Sequence, residues 1–199
     1  MGHVVTNLAM SLDGFIADEH DRCDELFGFY ENGARELVVS AGWPAFHMDE
    51  PSATLFLEGI ARTGCHVMGR RLYDITNGWD GHPGNEAPIV VVTHQAPDQH
   101  PEGVPYEFIS GIEPAIARAR ELAGDLDVGI SGASLARQAL DAGLLEVIHV
   151  SLVPLVLGSG IPWFAGAKRP VRLSDPVVHE ARGVTHLRYE VQKAQAPVS

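Results

Sequence analysis

The stretch DVGISGASLARQALDAGLLEVIHVSL, running from Asp127 to Leu152, holds three elements in a row. Asp127–Ser131 is a short run of mostly apolar residues and reads as a strand. Ser131-Gly132-Ala133 is a turn of small residues. Ser134–Ala142 reads as a short helix that follows the strand directly, and Glu146–Leu152 as a second apolar strand. A strand, a helix and a strand at this spacing make a crossover unit whose two strands lie parallel.

The same alternation extends in both directions. Further strands are expected at His3–Met10, Cys65–Met68, Pro88–Thr93, Glu107–Ile109, Val171–Val178 and Thr185–Val191. Ile89 to Val92 (IVVV) has no polar face, which suits a central strand covered on both sides. The last strand alternates: Leu187, Tyr189 and Val191 share one face, His186, Arg188 and Glu190 the other, and Arg182-Gly183 is the turn of a C-terminal hairpin. Helices are expected from Ser52, as the cap of ATLFLEGIART, to a stop at Gly64, and from Glu113-Pro114 to Gly124. Two more are expected at Arg70–Thr76 and Asn32–Ala41, with a loop at Asn77–Glu86 and a frayed tail over Ala194–Ser199. The pattern is an α/β chain, one domain over residues 1–193, with a largely parallel sheet.

Composition narrows the partners. The chain has 199 residues, 45% hydrophobic and 20% charged, as soluble globular proteins do. A net charge of -12 argues against nucleic acid or an anionic membrane, because its field repels phosphate. No apolar run is long enough to span a bilayer, and no signal peptide is visible. Cys23 and Cys65 form no framework and read as reduced thiols of a cytoplasmic protein. The histidines show no HExxH and no finger spacing, so no metal site is expected. Trp79 and Trp163 read as packing residues.

Two strand-to-helix junctions carry the chemistry. In Val67-Met68-Gly69-Arg70-Arg71 a glycine turns the chain and two arginines open a helix. Cations at a helix N-terminus are unfavourable for the helix alone, so the pair suggests that something negative arrives there. In Ser131-Gly132-Ala133-Ser134-Leu135 small residues allow a diphosphate to approach the backbone. Neither GxSxG nor a cysteine nucleophile signature is present, which favours a cofactor-borne reaction. The segment SLDGFIAD (Ser11–Asp18) places an Asp-Gly turn between apolar residues, and the turn alone leaves Phe15-Ile16 unexplained.

Four stretches in order, SLDGFIA (11–17), VMGRRLYD (67–74), Ile130–Gly160 and IPWF (161–164), resemble the dihydrofolate reductase-like superfamily, and most of all the reductase domain of riboflavin biosynthesis and its stand-alone relatives. The resemblance implies a three-layer α/β/α fold around a mixed, mostly parallel sheet of about eight strands with an antiparallel C-terminal part. It implies NADPH as cofactor. Gly69, Arg70 and Arg71 match the turn that holds its phosphates, Thr93 and His94 the border of its 2′-phosphate, and Ser131, Gly132, Ala133, Ser134 and Leu135 the diphosphate turn. Ala9 and Ile16 match positions beside the nicotinamide, and Asp13 matches a substrate-facing aspartate that orients a ring N–H or relays a proton.

The chain also departs from that pattern. The family's diphosphate turn is usually Gly-Gly, often cis, where Ser131-Gly132 stands here. Ile130 replaces an acidic residue of the riboflavin-pathway enzymes, which weighs against a diaminopyrimidine phosphate substrate. No counterpart of the buried, folate-protonating carboxylate is evident, although Glu25 and Glu31 fall in its region. The expectation is an NADPH-dependent reductase of a small heterocyclic or carbonyl-type molecule; the alternative is a nucleotide-binding sensor or sequestering module without turnover. By analogy, and from the apolar run IHVSLVPLVLG (148–158), a homodimer is expected.

Overall fold

The computed structural model describes residues 2–40 and 43–192. The chain begins with β1 (Val4–Ser11), a 3-10 turn (Asp24–Glu31), β2 (Arg35–Leu37), β3 (Phe46–Met48) and α1 (Glu50–Arg62). It continues through β4 (Thr63–Gly69), α2 (Arg70–Thr76), a second 3-10 turn (Asn77–Gly81), β5 (Ile89–Val92), β6 (Tyr106–Ile109) and α3 (Ile112–Ala123). It closes with β7 (Asp127–Ser131), α4 (Ala133–Asp141), β8 (Val147–Val153), β9 (Val177–Ala181) and β10 (Val184–Glu190).

Eight strands form one sheet in the order β6-β5-β4-β7-β1-β8-β10-β9. The six strands from β6 to β8 are parallel, and β10 and β9 are antiparallel additions. The unit read from Asp127–Leu152 is there, but β1 lies between β7 and β8. All six parallel strands therefore end on one edge of the sheet. That edge is where open α/β sheets bind ligands.

Strand alternation divides the core into layers. Val67, Val90, Val128, Ile130 and Val150 face α3 and α4 and pack with Ala115, Ile116 and Ala119. On the opposite face Met68, Ile89 and Val91 pack under α2 with Tyr73 and Tyr106, while Ala9 and Val153 pack under α1, β2–β3 and the first 3-10 turn with Phe29, Phe46 and Met48. Each fully buried aliphatic side chain contributes about 1.5–3 kcal/mol. IVVV is buried as a strand with both faces covered, as its composition requires.

Several expectations change. Asn32–Ala41 is not a helix: Arg35–Leu37 is β2, paired antiparallel with β3, because Leu37, Phe46 and Met48 bury together beneath α1. Val171–Val178 is a strand only from Val177; Pro170 and Pro176 lack the N–H a ladder needs, and Leu173 makes a single bridge to Val191. The cap of α1 is Asp49, whose carboxylate accepts from Ser52 N at 3.2 Å, and Ser52 is inside the first turn. The loop Asn77–Glu86 contains a turn with left-handed residues Asn77, Trp79 and Asp80. The run 148–158 is largely β8, an interior strand between β1 and β10, so most of its apolar residues serve the core, while Val156 beyond the strand is exposed. The tail over Ala194–Ser199 lies outside the described residues. No described helix is long and apolar enough to cross a membrane.

Candidate active site

Two of the junctions meet at the carboxyl edge of the sheet. Met68 and Ser131 are partners in the β4–β7 ladder, so Gly69 and Gly132 leave the sheet side by side. A Cβ at Gly69 would stand 3.7 Å from Leu135 of α4. Both glycines are N-caps without a side-chain cap, and no acidic residue lies in the first turn of α2 or α4. The first N–H groups of both helices thus point to the edge unmatched, with the positive end of each helix dipole. Gly132 has φ +101°, and a Cβ built there meets nothing within 4 Å. Its glycine is required by the backbone turn, and the space above it is open. All described peptide bonds are trans, including Ser131–Gly132.

The predicted phosphate residues gather here. Arg70 donates to Gln95 O at 2.9 Å, and Thr93 Oγ1 donates to the same carbonyl at 2.9 Å. His94 Nδ1 lies 2.9 Å from Ser110 Oγ, at the end of β6. Arg70, Thr93 and His94 therefore form one exposed corner at the ends of β4, β5 and β6. The arginine pair already has carboxylates: Arg70 Nε donates to Asp74 at 2.7 Å, and Arg71 is paired with Asp21. The contact with Asp21 raises the pKa of Arg71 further above its usual value. Asp21 has φ +62° and sits in the turn Asp18–Arg22, where Asp18 accepts from His20 N and Arg22 N. That turn follows β1, so its contact with α2 ties the loop after β1 to the helix after β4, two places away in the sheet.

SLDGFIA and IPWF are partners. Ile16 N donates to Ile161 O and Ile161 N to Ala17 O, both at 2.9 Å, and Phe15 bridges Pro162. Trp163 N donates to Gly14 O. Gly160 is required there, since a Cβ would meet Ala17 O at 2.2 Å. Phe15-Ile16 thus folds back against the segment before Trp163, with Ile16 packed on the α3–α4 side of the core, whereas Ala9 is buried on the opposite face of the sheet. Asp13 spans the same join: it accepts from Ser11 Oγ at 2.6 Å, from Leu157 N at 3.1 Å and from Gly158 N at 2.7 Å. The Ser11 hydroxyl and then the backbone N–H groups hold its carboxyl below the usual value, which keeps it ionised. Glu25 and Glu31 are both exposed and supply no buried acid.

One cluster has no sequence signal. Ser151 is the ladder partner of Ala9, and its hydroxyl lies 3.0 Å from His186 Nδ1. Ser52 Oγ lies 3.0 Å from His186 Nε2, and Asp49 caps the helix carrying Ser52. Burial above all keeps His186 neutral by lowering its pKa. A neutral imidazole between two hydroxyls can donate on one side and accept on the other, and so pass a proton along the chain.

No protein-family model matches the sequence, and no curated protein matches it. Solved structures do. A Shewanella sp. PV-4 protein assigned to riboflavin biosynthesis superposes with a TM-score of 0.73 at 20% identity, over 97% of this chain and 100% of that one. Acinetobacter baumannii RibD gives 0.64 at 15% identity over 96% of this chain, which spans 58% of that longer one. Dihydrofolate reductase from Enterococcus faecalis, solved with NADP(H), gives 0.60 at 16% identity over 96% and 97% of the two chains. These likenesses establish the architecture: the chain has the dihydrofolate reductase-like fold, shared with the riboflavin-biosynthesis reductases.

Proposed function

We propose that the chain is a cytoplasmic NADPH-dependent reductase of a small heterocyclic or carbonyl-type substrate. The observation that carries this is the pair of uncapped helix starts at Gly69 and Gly132, side by side and next to Arg70, with open space over Gly132. The residues fit a dinucleotide: the N–H groups of α2 and α4 would take its diphosphate, with Ser131, Ala133, Ser134 and Leu135 shaping the turn. Arg70, Arg71, Thr93 and His94 would hold the remaining phosphate, and Ala9 and Ile16 would flank the nicotinamide. Bound there, NADPH would supply a hydride. Asp13, being ionised, suits accepting a substrate N–H and not giving up a proton. A water at the site would supply the proton. The free thiols Cys23 and Cys65 support a cytoplasmic setting.

The test is cofactor selectivity. Arg70→Ala is expected to weaken NADPH by about tenfold and NADH by less than about twofold, because the guanidinium pairs with the 2′-phosphate alone. Equal losses would reject this assignment. The second reading, a nucleotide-binding module without turnover, predicts NADPH binding with no oxidation by any substrate. Assembly as a homodimer is proposed through the edge strand β9, where Val177 and Val178 are exposed. Light scattering at 21.4 kDa would reject it.

A further inference from the structure

The cations of this acidic chain are unevenly matched. Eight arginines hold carboxylates: Arg22, Arg35, Arg62, Arg70, Arg71, Arg118, Arg120 and Arg188. Among the described residues Arg137, Lys168, Arg169, Arg172 and Arg182 have no carboxylate partner within ion-pair distance. All but Arg182 lie on or against one segment, residues 164–173, which runs beside α4; Arg137 reaches it by donating to Ala165 O at 3.0 Å. Beneath that segment is an apolar groove of about 420 Å³, with Met10, Leu140, Ile148, Trp163, Phe164 and Tyr189 in its walls and Arg169 at its margin. That volume falls within the range of small-molecule sites. Trp163 is 2% exposed, and its indole N–H is buried without an acceptor. Such donors are rare in folded proteins, because a buried unpaired donor gives up its hydrogen bonds to water for nothing in return.

We propose that this groove binds an amphipathic anion, an apolar chain or ring that ends in a carboxylate. The apolar body would lie against Trp163, Phe164 and Leu140, and the carboxylate would pair with the guanidinium of Arg169, whose planar fork matches it. The groove is on the α3–α4 face of the sheet, whereas the nucleotide crevice is at the strand ends, so the two sites are separate.

Decanoate serves as the probe, titrated into the full chain by calorimetry below its aggregation threshold, with the Trp163 indole N–H followed by NMR. Saturable one-to-one binding that shifts this resonance is expected. Arg169→Glu, an exposed substitution, should weaken decanoate by about tenfold or more and leave NADPH affinity unchanged. Decyltrimethylammonium should not compete. The proposal is overturned by an absence of saturable binding, by equal binding of the cationic amphiphile, or by full affinity in Arg169→Glu. It is equally overturned if the chain is a dimer that Leu173→Asp dissociates, which would make the groove an interface between copies.

Discussion

Asp21→Asn tests whether the Asp21–Arg71 pair competes with the nucleotide. In the free protein Arg71 is held by both oxygens of Asp21, so a phosphate that uses Arg71 must first displace that carboxylate. The pair is asymmetric in burial: the carboxylate is 21% exposed and the guanidinium 73%. So open a pair belongs with surface ion pairs, whose strength corresponds to a factor of about 1.4 to 5 in an equilibrium. Asparagine tolerates the left-handed backbone at this position, so the turn should survive the change. NADPH affinity in Asp21→Asn should therefore rise about two- to fivefold at low ionic strength. The gain should fade near 1 M salt, where the screening length is about 3 Å. Fluorescence titration of NADPH at both ionic strengths measures this. An unchanged affinity at low salt would show that Arg71 does not meet the nucleotide, and a weaker one would show that Asp21 supports the bound state.

Two further outcomes follow from the same geometry. Asp13→Asn puts an amide N–H against backbone donors at Leu157 or Gly158, so it should lower Tm by a few degrees; if the carboxylate also orients substrate, single-turnover NADPH oxidation should fall about a hundredfold with NADPH affinity nearly unchanged. His149 is the pH probe: burial first, then Arg188 and His186 against the opposing Asp127, push its pKa from 6.5 down to about 4. The unfolded state then binds the extra proton between those values, so stability falls as pH drops from 6.5 to about 4, by about 3 kcal/mol in total. His149→Gln should flatten that limb in urea melts taken across the range, and an unchanged slope would reject the shift.

Elements whose pattern is set by their own residues are legible in the sequence. IVVV is β-branched and apolar on both faces, which suits a covered strand, and Arg70–Thr76 is bounded by its glycine and by the left-handed Asn77. The β7–α4–β8 unit is readable for the same reason. What local pattern does not show is the insertion of β1 between β7 and β8, because strand order depends on contacts far apart in the chain. β2 escapes a reading of the sequence because three residues carry too little periodicity to oppose a helical one, and the burial of Leu37 depends on Phe46 and Met48.

The site shows the same division. The two arginines call for a negative partner, and Asp74 is visible as the residue one helical turn beyond Arg70. Asp21 is not, since only the folded loop brings it to Arg71. SLDGFIA and IPWF both stand out in the sequence, but not as two sides of one backbone ladder, which explains why Phe15-Ile16 follows the turn. His186 is the clearest limit. The alternation in β10 puts it opposite Leu187 and Tyr189, on the correct face. Its chemistry depends on Ser151 from β8 and Ser52 from α1, two elements that meet it only after the sheet is assembled and covered. The period of a strand tells which side chains share a face; it does not tell which helix later closes over that face, and at His186 it is the covering helix that turns a half-exposed histidine into a neutral link between two hydroxyls.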